Sequence, residues 1–172
     1  TVQLASIYML AFKFAMVKKT MNQETCASYL KQLQDVISSV KTTIGYDKRV
    51  EEISRALSNA EDLFFIGRGL DSALSCEGSI KFKEITYIHS EAYAAGELKH
   101  GTLSLITQDI PVIALATQEN VYQKMISNIR EVRARGAKVI LITNGEMPVD
   151  EDLCAHHIIL PKTDDQFAPF TT

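Results

Sequence analysis

Cysteine is scarce in this sequence, and what there is does not pair. Cys26, Cys76 and Cys154 are an odd number with no CxxC spacing, so neither a disulfide framework nor a zinc knuckle is suggested, and reduced, buried thiols of a cytoplasmic protein are expected instead. An excess of one charge is also missing. Lys and Arg number 18 against 21 Asp and Glu, a net charge of -3, and the basic residues are scattered. Such a chain has no field that would gather nucleic acid or an anionic membrane, so polyanionic partners are excluded. A long hydrophobic run is lacking as well. The opening VQLASIYMLAFKFAMV is broken by Lys13; it falls short of the roughly 20 residues that cross a bilayer, and it has no small-residue cleavage site of a signal peptide. There is no initiator Met at Thr1, and FAPFTT at the other end points toward an element that does not follow; both termini read as cut. His156 and His157 would face opposite sides of a strand, which argues against a shared metal.

What is present fits one globular α/β domain: 172 residues, 46% hydrophobic and 23% charged. Residues 3 to 19, 23 to 42 and 47 to 60 read as helices, with Leu30, Leu33, Val36 and Val40, then Val50, Ile53 and Leu57, at helical spacing. From Asp62 short apolar runs alternate with longer amphipathic ones, the signature of βα units on a parallel sheet. Strands are predicted at 62 to 67, 111 to 117, 137 to 143 and 156 to 160, and helices at 71 to 87 and 119 to 135, with Gly136 where a helix end wants a left-handed residue. The expected fold is a three-layer α/β/α sandwich with a mainly parallel sheet, preceded by helices.

Three stretches carry groups that do chemistry. Gly67-Arg68-Gly69 lies between a predicted strand and a helix, where backbone N–H groups can cradle phosphate. It lacks the third glycine of a dinucleotide fingerprint, and Asp71 is placed to cap the helix, so a plain strand-to-helix turn is the competing reading. On the helix that follows, Glu77, Lys81 and Glu84 share one face, either as an exposed ion-pair ladder or as a charge partner beside a proton acceptor. Ile80, Ile85 and Ile88 are expected to bury the flanks of that helix, and Gly78 and Ser79 to permit close backbone approach. The run SEAYAAGELKHG, residues 90 to 101, ends in Glu97, Lys99 and His100; the imidazole is either solvated or an acid/base group in the range that ring opening requires.

Residues 77 to 101, EGSIKFKEITYIHSEAYAAGELKHG, closely resemble the hallmark segment of the isomerase domain in the glucosamine-6-phosphate synthase family. GRG, TLSLI, DIPVIALAT and NIREVRARGAKV fall in the order that family shows, and TVQL resembles the helix that closes its first sugar-isomerase (SIS) subdomain. The resemblance implies that residues 1 to 45 are a helical remnant of an upstream SIS subdomain and 46 to 172 a second SIS subdomain. It implies that Glu84 moves a proton between C1 and C2 of the sugar, that Lys81 stands beside it at the substrate, and that His100 opens the furanose ring of a neighbouring subunit's substrate. The implied partners are fructose-6-phosphate and glucosamine-6-phosphate, a second copy in a homodimer, and a glutaminase domain on the full-length chain. No cofactor or metal is implied.

The family's Ser/Thr-rich phosphate loops would lie upstream of Thr1 and its Schiff-base lysine beyond Thr172, so a chain of these residues alone is expected to be inactive. Two alternatives stay open: another SIS-domain isomerase or deglycase, and a non-catalytic sugar-phosphate sensor.

Overall fold

The structure, a computed structural model, describes residues 1 to 172. It opens with three helices, α1 (Val2–Val17), α2 (Gln23–Ile44) and α3 (Asp47–Leu57). α2 begins where Asn22 caps it, the side-chain oxygen accepting the Thr25 N–H at 2.8 Å, with Glu24 in the first turn and Lys41 in the last, as the helix dipole favours. α1 is apolar on nearly every side: Phe12 is buried, whereas Val2, Ile7, Leu10, Phe14 and Val17 are exposed. The two helices pack through Phe12 and Val36 against Phe167, in a cluster with Tyr8, Tyr29 and Phe170 that is separate from the sheet. No helix is long and apolar enough to cross a membrane.

The rest is a five-stranded, all-parallel sheet. Its strands are β1 (Asp62–Gly67), β2 (His89–Ala94), β3 (Pro111–Ala116), β4 (Lys138–Asn144) and β5 (His156–Leu160), in the order β2-β1-β3-β4-β5. β1, β3 and β4 are near-continuous apolar runs because both their faces are covered. α3 and α4 (Leu70–Thr86) lie on one face over Leu63, Phe65 and Ile140. α5 (Tyr122–Ala134) lies on the other, where Met125, Ile129 and Val132 join Phe64, Ile66, Val112 and Leu141 in the main core. This is the expected sandwich, now with every strand parallel.

The structure departs from the sequence expectations at several points. Residues 90 to 94, expected only as part of a small-residue run, form edge strand β2 together with His89. The helix expected from 119 starts as a 3₁₀ turn, Glu119–Val121, before α5. Ile80 and Ile85 are exposed rather than buried, because α4 turns Ser75, Ser79, Gly78 and Phe82 toward the sheet instead. Cys76 is exposed and Cys26 and Cys154 are only partly covered, so the expected burial of the thiols does not hold; Cys76 sits on the solvent side of α4. Gly136 takes φ +91° just past α5, as expected of a helix end.

One pairing at the far edge sets a pH response. The Thr143 hydroxyl donates to the Gly145 carbonyl at 3.0 Å, so its oxygen accepts from His157 Nε2 at 2.9 Å. Burial lowers the His157 pKa from its usual 6.5. A depressed histidine pKa gives stability that is present above the unfolded value and is lost as pH falls through the folded one. The urea midpoint should therefore drop as pH falls below about 6.5, and His157→Gln, which keeps an N–H donor, should show a shallower drop. Equal slopes for the two proteins would contradict this.

Candidate active site

In open α/β sheets ligands bind beyond the carboxyl ends of the strands where the strand order reverses, which here is between β1 and β3. That crevice is filled by the chain itself. The Leu70 N–H at the start of α4 donates to Gln118 Oε1 at 3.2 Å. Asp71, 1% exposed, accepts from the Thr117 N–H at 2.8 Å and from Thr117 Oγ1 at 2.5 Å. Burial pushes the Asp71 carboxyl up, and the Thr117 hydrogen bonds oppose that. Asp71 is therefore not the helix cap expected from the sequence: Gly69 occupies the N-cap with no side-chain cap bond, and the carboxylate ties α4 to the end of β3. Gly67-Arg68-Gly69 is a strand-to-helix turn, and the Leu70 amide that follows it is already satisfied by Gln118.

Farther along α4 the packing decides which side chains face outward. A Cβ on Gly78 would sit 3.0 Å from the Phe65 ring, Phe82 meets the same ring edge-on, and Ser79 exchanges hydrogen bonds with Ser90. Glu84 faces away from that contact and Lys81 stands at its margin. Lys81 Nζ donates to Glu84 Oε2 at 2.8 Å, with both side chains more than half exposed. That hydrogen bond, then the Glu84 charge, raises the Lys81 pKa, with Glu77 adding in the same direction. Lys81, Glu77 and Gly78 line one side of a cleft of about 700 Å³ with Phe65 and Ile113 at the sheet and Leu4 of α1 also on its wall.

His100 is held elsewhere. After β2 the chain makes a 3₁₀ turn, Ala95–His100, in which Ala95 and Leu98 are fully buried in the core on the α5 side. His100 itself is exposed, and its Nε2 lies 3.8 Å from Glu97 Oε2. The structure thus brings Lys81 and Glu84 together but places His100 on the opposite face of the sheet, so the three do not share a cleft within one chain. No group of three or more His, Cys, Asp or Glu side chains converges as a metal-ligand set.

Two polar arrangements escaped the sequence reading. One is the Asp71–Thr117 tie; the other is Arg68 Nη1 donating to Asn128 Oδ1 at 2.9 Å, beneath Gly96. Their members are 46 and 60 positions apart, and no local spacing links them.

The SIS domain family matches residues 56–172. Over 168 residues the chain is 44% identical to glutamine–fructose-6-phosphate aminotransferase [isomerizing] from Clostridium tetani, and over 172 residues 40% identical to the enzyme of that name from Caldanaerobacter subterraneus. These alignments cover 97% and 100% of this chain and 28% of each relative. The C-terminal domain of glucosamine-fructose-6-phosphate aminotransferase from Francisella tularensis superposes with a TM-score of 0.94 at 33% identity, over 98% of this chain and 48% of that one.

Proposed function

Because this chain belongs to the SIS-domain family, we propose that it is the second SIS subdomain of an isomerizing glutamine–fructose-6-phosphate aminotransferase, a cytoplasmic homodimer that makes glucosamine-6-phosphate. Residues 1 to 45 then belong to the end of an upstream SIS subdomain and its connecting helix, packed through Phe12 and Val36 against Phe167 of the second subdomain. The chain spans 28% of the length of the curated relatives it matches; the glutaminase domain belongs to the remainder. The observation that carries the proposal is the Lys81–Glu84 pair, 2.8 Å apart with Lys81 on the wall of an open cleft, within a chain 44% identical to an isomerizing aminotransferase.

In the proposed reaction the His100 imidazole moves a proton from the anomeric hydroxyl to the ring oxygen, which opens the furanose to the free ketone. Ammonia adds at C2 and water leaves, giving the ketimine. Glu84 then takes a proton from C1 and returns it to C2, while the C1 hydroxyl gives up its proton and the imine nitrogen gains one, so C1 becomes the aldehyde and C2 the amine carbon without any external electron carrier. A carboxylate fits that task when it is poised over the carbon and the developing charge meets a fixed donor. Lys81 Nζ, within hydrogen-bond reach of Glu84, is such a donor.

Since one chain holds His100 and Glu84 on opposite faces of its sheet, a shared site requires His100 from a second copy. The outward side of α4 supports a partner there: Ile80, Ile85 and Tyr87 are exposed apolar neighbours of Glu84. The test mixes two inactive full-length variants, Glu84→Gln and His100→Ala, refolded together. Half of the resulting dimers are mixed and carry one intact site of two, so about a quarter of wild-type amino-sugar formation should return. Activity no greater than that of the separate variants would reject a site built across the subunit boundary.

A further inference from the structure

The proposed role of His100 demands a fixed imidazole, yet its own side chain is free: it is exposed and only Glu97, itself exposed, stands near it. What fixes it must act through the backbone of the Ala95–His100 turn. Ala95 and Leu98 are sunk in the core, but apolar burial sets the depth of a turn more firmly than its rotation. On either side of Leu98, a guanidinium packed beneath Gly96 and an ion pair at Lys99 supply the rest. The Arg68 guanidinium, half-buried at the end of β1, lies under Gly96, where an added Cβ would come within 2.8 Å of Nη1. The same Nη1 donates to the Oδ1 of Asn128, which is 6% exposed on α5. One turn farther along α5, Glu131 Oε1 receives Lys99 Nζ at 2.9 Å, next to His100 in the chain, while Glu131 Oε2 is buried without a partner.

From these contacts we infer that Arg68, Asn128 and Glu131 are positioning residues for His100. They clamp the turn to β1 and α5 at Gly96 and at Lys99, so that the imidazole leaves the surface in one direction. The inference rests on the role proposed for His100. Catalytic groups need such support because a displacement of about 1 Å can cost on the order of 10²-fold in rate.

The experiment uses the full-length chain and two substrates: fructose-6-phosphate, and its 5-deoxy analogue, which lacks the hydroxyl that closes the furanose ring and so needs no ring opening. The quantity read is the ratio of kcat on the first to kcat on the second. For Asn128→Ala the ratio should fall about 10-fold, and for Glu131→Gln about 3-fold, both well within the range of general acid–base contributions. Asn128→Asp, which keeps an acceptor for Arg68, should restore the ratio to within about 2-fold of wild type. Loss of folding or packing lowers both rates together and leaves the ratio unmoved. An unchanged ratio in both Asn128→Ala and Glu131→Gln overturns the inference while His100→Ala still lowers it. If His100→Ala itself leaves the ratio unchanged, the ring-opening role of His100 falls, and the inference with it.

Discussion

Glu84→Gln in the full-length chain should lower amino-sugar formation from fructose-6-phosphate by about 10²- to 10⁴-fold in kcat, with KM little altered. The magnitude is that of a proton-transfer group acting in the transition state. The substitution is isosteric and leaves an oxygen for Lys81 to meet, so substrate binding should survive while the abstraction of the C1 proton does not. Stability should barely change: the Lys81–Glu84 pair is more than half exposed on both sides, and exposed pairs contribute about 0 to 1 kcal/mol. That contrast separates the proposal from its rival, an exposed ion-pair ladder with no chemistry, which predicts small effects on both measurements. Thermal melting and steady-state kinetics on the same preparation decide it. Turnover within about 3-fold of wild type would remove Glu84 from the reaction, because no general-base role is that small.

The central strands were legible because their signal is local. DLFFIG, PVIALA and KVILITN are apolar on both faces, and nothing but a covered parallel strand fits runs so short between helical stretches. β2 was not, because HSEAYA contains no Val, Ile or Leu, and at the sheet edge only Ser90 of its six residues is fully buried. Its pairing with β1 from Asp62↔His89 to Gly67↔Ala94 is a tertiary fact. The face of α4 misled for a related reason. Apolar spacing suggested that Ile80 and Ile85 face inward, but the sheet approaches too closely for branched side chains, and Gly78, Ser75 and Ser79 take the contact.

The same distinction runs through the site. Glu77, Lys81 and Glu84 could be placed on one helical face from spacing alone, and the 2.8 Å contact of the last two follows from it. That His100 stands across the sheet from them could not, since it depends on the crossover from α4 through β2, which was itself missed. Once β2 is in place the geometry is forced. α4 must cover the Leu63 and Phe65 side, and Leu98 can then only reach the Phe64 and Ile66 side.

Asp71→Ala should be the most destabilising single change at the end of the sheet, by about 2 to 4 kcal/mol in chemical denaturation. Asp71 and Thr117 are both almost fully buried, and removing the carboxylate leaves the Thr117 N–H and hydroxyl without an acceptor. The pH dependence identifies the cause. Burial raises the Asp71 pKa above its usual 3.8, so the stability this group contributes is fully present below the unfolded value and declines as pH rises through the folded one. Asp71→Asn cannot ionise. Its deficit relative to wild type should accordingly be widest at acid pH, near the unfolded carboxyl value, and should narrow as pH rises past the folded value, where the wild-type carboxylate bears the penalty of being charged in a dry site. A deficit that instead widens with rising pH would mean that the Thr117 hydrogen bonds outweigh burial. Asp71 would then be a stabilising buried anion, and the α4 turn would be held by charge rather than in spite of it.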